Sequence, residues 1–330
     1  MKKIALIGVL LVVVVGLVFS GCAAPAPTAG PIVLKAVSFL PKGASPLVDF
    51  GIYIDILNER ANGELEIDWI GGPEAIPRFD QDEAIKTGVI DIACFPMSQY
   101  KSELPQGLAM ILSQVTPMEE HENGFYDFIV SVLAEANARY VGRMETNTLF
   151  HIGIKDSIES PQELEGLQIR TGTLYQFFLE ALGAVPTSIS FSEVYSALET
   201  DLVDGYAFPF TDVKDLSLYE VVPYFIDHTF YETGNLMAIM NRDKWNSLPE
   251  HLQDLMLDTL IEFEPGMVER SAALQQEAKQ AMIDGGMEAI TFSPADAKWY
   301  RDLAYSSMLE AIEAQVSEDT YAEVLKYIGK

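Results

Sequence analysis

Arg170 stands directly before Thr171-Gly172-Thr173 and closes the short run Leu167 to Arg170, which reads as a strand. A guanidinium at a strand end can reach the edge of a cleft, where its planar fork matches a carboxylate through two parallel hydrogen bonds. The following glycine lets the backbone approach a bound molecule closely. The competing use of such an arginine is an ion pair with one of the chain's many surface carboxylates, and strand-end position alone leaves both uses open. The four histidines, His121, His151, His228 and His251, lie far apart with no His-Glu-x-x-His or Cys-x-x-Cys spacing, so a zinc site has no support and no metal is expected. The run Glu119-Glu120-His121-Glu122 follows Pro117 and fits the first turn of a helix, where carboxylates complement the dipole, better than a metal cluster. Glu74, beside Gly72-Pro73, is a lone carboxylate at a strand end that could touch a ligand or a cation. Gly-x-Ser-x-Gly, P-loop and Gly-x-Gly-x-x-Gly motifs are missing, which removes the commonest hydrolase and nucleotide-binding signatures and points away from an enzyme and from a cofactor.

The elements that must hold Arg170 follow from hydrophobic spacing. Ile32 to Phe39 is β-rich, and Leu47, Phe50, Ile54 and Leu57 then recur at helical spacing until Asn62-Gly63. Leu65, Ile67 and Trp69 alternate with Glu64, Glu66 and Asp68, a half-buried strand running into Gly71-Gly72-Pro73. A helix over Phe79 to Thr87 closes at Gly88, and Val89 to Cys94 reads as a short apolar strand. Strands alternating with helices predict a parallel, doubly wound sheet.

The pattern restarts near Thr148, with a strand through Ile154 and the capping box Ser160-Pro161-Gln162-Glu163. After the Arg170 strand come a helix from Leu174 to Leu182 ended by Gly183, a second capping box at Ser190-Phe191-Ser192-Glu193 opening a helix through Leu198, and a strand from Gly205 to Phe208. Leu236 to Met240 reads as a strand returning to the first sheet, and a long amphipathic helix runs from Pro249 to about Met282 with Pro265-Gly266 as its kink. Two doubly wound α/β lobes around a ligand cleft are expected, with the long helix spanning both: residues 32–147 plus 236–288 in lobe I, and 148–235 plus 289–330 in lobe II. The loops at the carboxyl ends of both sheets would line the cleft, where ligands of such sheets bind.

Of the 330 residues 49% are hydrophobic, enough for a large core. The 49 acidic against 21 basic residues give a formal charge of −28, which argues against nucleic acid and anionic membrane as partners. If the ligand is an anion, long-range steering cannot attract it, and a local, partly buried arginine must. At the N-terminus, Lys2 and Lys3 precede the apolar run Ile4 to Phe19 and then Ser20-Gly21-Cys22, the order of a secretory signal. The run is short for a membrane span. Its end resembles a bacterial lipobox with Phe19 in place of the usual Leu, so residues 1–21 read as a signal peptide and Cys22 as a lipid-anchor site. A plain signal peptide cut near Ala23 to Ala26 is the other reading, and both export the protein. The uncharged stretch to Pro31 suits a flexible tether. Cys94 is the only other cysteine, so an acylated Cys22 leaves it no internal disulfide partner.

The segments Ser160 to Arg170 (SPQELEGLQIR), Phe191 to Leu198 (FSEVYSAL), Val203-Asp204-Gly205 and Asn241 to Pro249 (NRDKWNSLP) resemble the solute-binding subunits of tripartite ATP-independent periplasmic (TRAP) transporters. The resemblance extends over roughly Ile32 to Glu323. It implies a periplasmic binding protein-like type II fold that closes on a small organic acid and docks on a small and a large membrane subunit, and monomer is the default state for this architecture. The same closed form could serve a sensor that docks on a membrane kinase. The family's carboxylate-binding arginine falls on Arg170. Phe39, Phe95, Met97, Thr173, Phe191, Phe208 and Asn235 fall on pocket positions by the same correspondence, with Tyr206 beside them. Many members read Asp-Gly-Gln-Glu-Asn-Pro where this chain has Asp204-Gly205-Tyr206-Ala207-Phe208-Pro209, so Phe208 replaces a polar Asn. A second arginine that some members carry upstream corresponds to Leu149. These exchanges shift the expected ligand from polyhydroxylated sugar acids toward a monocarboxylate with an apolar or aromatic body.

Overall fold

A computed structural model describes residues 30–172 and 174–328 of the chain. The expected signal peptide and Cys22, and Thr173, lie outside the described residues.

In the first lobe, β1 (Ile32–Ser38) lies between β2 (Leu65–Gly71) and β3 (Ile92–Pro96) and is parallel to both. The helix Val48–Arg60 connects β1 to β2 and buries Phe50, Tyr53, Ile54 and Leu57 on one face, as their spacing requires. It stops where Asn62 and Gly63 take positive φ, the left-handed conformation that ends helices. The β2 side chains alternate between buried and outward positions from Leu65 to Asp68. β3 begins at Ile92, not Val89: Val89 and Ile90 still bond back to the Ala84 carbonyl, and Val89 is exposed. β10 (Leu236–Asn241) returns antiparallel to β3 and pairs β4 (Ala138–Arg143), giving the order β2-β1-β3-β10-β4.

The second sheet has the order β11-β9-β5-β8-β6-β7. Here β5 is Phe150–Ile154, β6 Gln168–Thr171, β7 Val185–Ser188, β8 Gly205–Pro209, β9 Tyr224–Ile226 and β11 Glu288–Ile290. β6 runs parallel to both neighbours, and β5 is antiparallel to β8 and β9. The Ser160 capping box forms both reciprocal bonds, but only one 3-10 turn follows it, Pro161–Leu164. At Ser190 the hydroxyl reaches the Glu193 side chain without capping a backbone N–H, and the 3-10 turn Phe191–Glu193 precedes the helix Val194–Glu199.

The chain passes between the lobes after β4, before β10 and through the helix Glu250–Asp284. Leu252, Met256, Leu260 and Phe263 of that helix pack into the first lobe's core, and Ala278 and Met282 into the second's. The helix continues through Pro265, whose missing N–H removes one intrahelical bond in the stretch between the two packed halves. The other two crossings are bonded together: Phe150 N donates to Tyr231 O and Met144 N to Leu236 O. The fully buried Arg143 donates to Gly234 O at 2.6 Å and grips both carboxylate oxygens of Glu120 at 2.7 Å. Two α/β lobes are therefore joined by bonded crossing segments, and one continuous buried cluster runs from Ala93 and Phe95 of the first sheet to Phe150 and Ile152 of the second.

Candidate functional site

The carboxyl ends of the parallel strands of both sheets open on one cleft of about 710 Å³, its open mouth included. From the first lobe come Phe39 and Leu40 after β1 and Pro96 at the end of β3; from the second come Arg170 at β6 and Phe208 at β8. The β-strand framework puts them there because the last residues of parallel strands point into the space between lobes. At Gly72 a Cβ would stand 2.3 Å from the Leu40 carbonyl oxygen, so this loop beside the cleft reaches its position only with glycine.

Arg170 is 6% exposed. Its Nε donates to Ile189 O at 3.2 Å, and its guanidinium carbon lies 3.9 Å from the centroid of the Phe208 ring. Phe191 meets Phe208 edge to face at 5.8 Å, extending the aromatic wall. Burial lowers the Arg170 pKa to about 10, with Arg78 pushing the same way and Tyr175 and Asp212 opposing. At neutral pH the group is a cation. Among the described residues no carboxylate forms a salt bridge with it, in a chain with 49 acidic residues.

Phe39, Phe191, Phe208 and Asn235 of the expected positions line this cleft with Arg170. Asn235 is 3% exposed, and its side-chain nitrogen has no hydrogen-bond partner. Phe95, Met97 and Tyr206 are placed elsewhere. Phe95 packs on Tyr100 in the core, Met97 lies against Gly107, and Tyr206 covers Gly153 with its hydroxyl 3.4 Å from His151 Nε2. Strand alternation explains Phe95, whose neighbour Pro96 is the residue that faces the cleft. Leu149 packs against the second lobe's core and is not part of the cleft lining. Glu74 accepts from Gly72 N at 2.8 Å, which lowers its pKa and ties it to its own turn.

Three charged groups that spacing did not single out complete the cleft: Arg78, Glu145 and Asp212. Arg78 comes from the first lobe, its guanidinium carbon 5.1 Å from the Phe39 ring and its Nε buried without a partner. It opens the 3-10 turn Arg78–Asp80, a loop's length beyond the end of β2, so the strand-end position that picked Arg170 did not mark it. Glu145 accepts from Leu236 N at 3.3 Å, and burial raises its pKa. Asp212 sits in the first turn of the helix Phe210–Asp215 that follows β8; it is 8% exposed, its Oδ1 has no partner, and burial raises its pKa to about 8. The four histidines remain scattered: His151 is buried and held near 3 by desolvation, while His121, His228 and His251 bond to Glu264, Phe292 N and Glu64. Among the described residues no three His, Cys, Asp or Glu side chains converge on a metal position. Two cations, two carboxylates, an amide and aromatic walls can hold a small charged organic molecule.

Residues 53–314 match the family model for bacterial extracellular solute-binding protein, family 7. The chain is 23% identical to the monocarboxylate 2-oxoacid-binding periplasmic protein of Nostoc sp. over 71% of its own length and 67% of that protein's. It is 24% identical to the sialic acid-binding periplasmic protein of Vibrio cholerae over 61% of its length and 65% of that protein's, so the match to this relative spans less than two thirds of it. The fold matches the Bordetella pertussis extracytoplasmic solute receptor that binds pyroglutamic acid, with a TM-score of 0.77, 18% identity, and coverage of 90% of this chain and 99% of that one.

Proposed function

Because the chain belongs to bacterial extracellular solute-binding protein family 7, the solute-binding proteins of TRAP transporters, we propose that it captures a small organic acid outside the cytoplasm and delivers it to membrane subunits. Arg170 holds the ligand carboxylate through a bidentate pair, Phe39, Phe191 and Phe208 contact an apolar or aromatic body, and hinge closure between the lobes excludes water. No bond is made or broken. The observation that carries this reading is a buried arginine that uses one donor on a backbone carbonyl and has no carboxylate partner among the described residues. A charge in that position calls for an anion from outside. Against Phe208 and Phe191, the hydroxyls of a sugar acid would go unpaired, at about 1–3 kcal/mol for each buried group. The names of the Nostoc and Bordetella relatives, a 2-oxoacid binder and a pyroglutamate binder, agree with a compact monocarboxylate.

The test is a thermal-shift screen of refolded, ligand-stripped protein against monocarboxylates, dicarboxylates, sugar acids and amino acids, since a ligand that binds only the native state raises its melting temperature. Monocarboxylates with an apolar body should stabilise the wild type and fail to stabilise Arg170→Ala. Stabilisation by sugar acids alone would overturn the ligand class, and silence across all acids would overturn the function. For the anchor, the Ser20-Gly21-Cys22 ending supports acylation of Cys22. Mass spectrometry of protein recovered from membranes should find a diacylglyceryl Cys22, and an unmodified N-terminus near Ala23 would refute it.

A further inference from the structure

The unmatched groups of the cleft are unequal in kind. Arg170, Arg78 and Asn235 offer donors, whereas the Asp212 Oδ1 is a buried acceptor with no partner. A ligand that brought only a carboxylate would satisfy the donors and give the Asp212 Oδ1 nothing to accept from, so a buried acceptor would stay unpaired. Asp212 forms no salt bridge with Arg170, although both line the same cleft. Its position is rigidly set, because it lies in the first turn of the helix that follows β8, directly beyond the strand end that carries Phe208. Burial keeps a proton on Asp212 in the ligand-free protein, and a cationic N–H donor brought against it favours the ionised form, so a ligand carrying both an ammonium and a carboxylate suits Asp212 and Arg170 together better than a dicarboxylate does.

From this geometry we infer that the ligand carries an N–H donor on or next to the carbon bearing its carboxylate, and that Asp212 accepts from that nitrogen while Arg170 holds the acid. The ligand class is thereby narrowed to amino, imino and lactam acids. This rests on the organic-acid reading above and deepens it. Asp212 is then the residue that separates such acids from plain carboxylates of the same shape.

Isothermal titration of ligand-stripped full-length protein with matched pairs tests this. The pairs are phenylalanine with 3-phenylpropanoate, proline with cyclopentanecarboxylate, and pyroglutamate with its ring-oxygen counterpart 5-oxotetrahydrofuran-2-carboxylate. In at least one pair the N–H member should bind at least about tenfold tighter to wild type, as a charge-assisted hydrogen bond would give. Asp212→Leu should collapse that ratio while the carboxylate-only member keeps its affinity. Equal binding within every pair, or an unchanged ratio in Asp212→Leu, overturns the inference. Should Asp212→Leu not fold, Asp212→Asn and the wild-type ratios decide it. Arg170-dependent binding without preference for the N–H member would overturn the role of Asp212 and leave the organic-acid function standing, whereas no binding by any acid would overturn both.

Discussion

The Arg170 guanidinium carbon lies 3.9 Å from the centroid of the Phe208 ring, so the same aromatic side chain forms the cleft wall and steadies the cation. Stacked in this way, with Nε held by Ile189 O, the planar fork has little freedom left to lose when a carboxylate arrives. Arg170→Lys is therefore expected to weaken binding of the stabilising acid at least about tenfold, because an ammonium supplies charge without the fork. Phe208→Leu should weaken it less than Arg170→Lys. Titration calorimetry on the three proteins decides both, and full affinity in Arg170→Lys would remove the bidentate clamp.

Stability should fall with rising pH on account of Asp212. Burial, the first cause, with Glu145 and Asp215 acting the same way and Arg170 opposing, raises its pKa from the usual 3.8 to about 8. Between those values the folded protein holds a proton that the unfolded chain has released, so this group's contribution is full below about pH 4 and is lost as pH rises through about 8. Melting temperatures of ligand-free protein measured from about pH 5 to about pH 8.5 should decline more steeply in wild type than in Asp212→Asn. Parallel declines would show that Asp212 titrates normally.

The Arg143–Glu120 pair should be expensive to break. Arg143 and Glu120 are 2% and 3% exposed, and the arginine also donates to Gly234 O and Met110 O, tying a crossing segment to the first lobe. Glu120→Ala leaves a buried guanidinium without its counter-charge, an effect of about 3–5 kcal/mol. Urea denaturation of Glu120→Ala, Arg143→Met and the double variant measures it, and the double variant should lose less than the two single losses added together.

Two glycines give opposite expectations. A Cβ on Gly153 would stand 2.2 Å from the ring of Tyr206, which is fully buried and cannot retreat, so Gly153→Ala should cost about 1–3 kcal/mol through overpacking. On Gly107 the atom met is the terminal methyl of Met97, the far end of a flexible side chain. Gly107→Ala should lower the urea midpoint less than Gly153→Ala, and the reverse order would show that the methionine has no room to move.

The sequence by itself determined the alternation of strands and helices, the return of Leu236 to Met240 to the first sheet and the long helix from Pro249, because hydrophobic period, capping residues and glycine stops are local signals. It also singled out Arg170 and, through the family resemblance, Phe39, Phe191, Phe208 and Asn235, all of which border the cleft. What only the tertiary structure decided is which neighbours of those residues share it. Phe95, Met97 and Tyr206 sit within one or two residues of cleft positions, yet strand alternation turns Phe95 into the core, Met97 is buried in the 3-10 turn after β3, and Tyr206, on the same face of β8 as Phe208, lies farther back from the strand end under that ring. Arg78, Glu145 and Asp212 are charged residues among many in an acidic chain, and nothing local separates them from solvated surface. Their significance lies in burial and in missing partners, and both depend on how two lobes distant in sequence close around the same space.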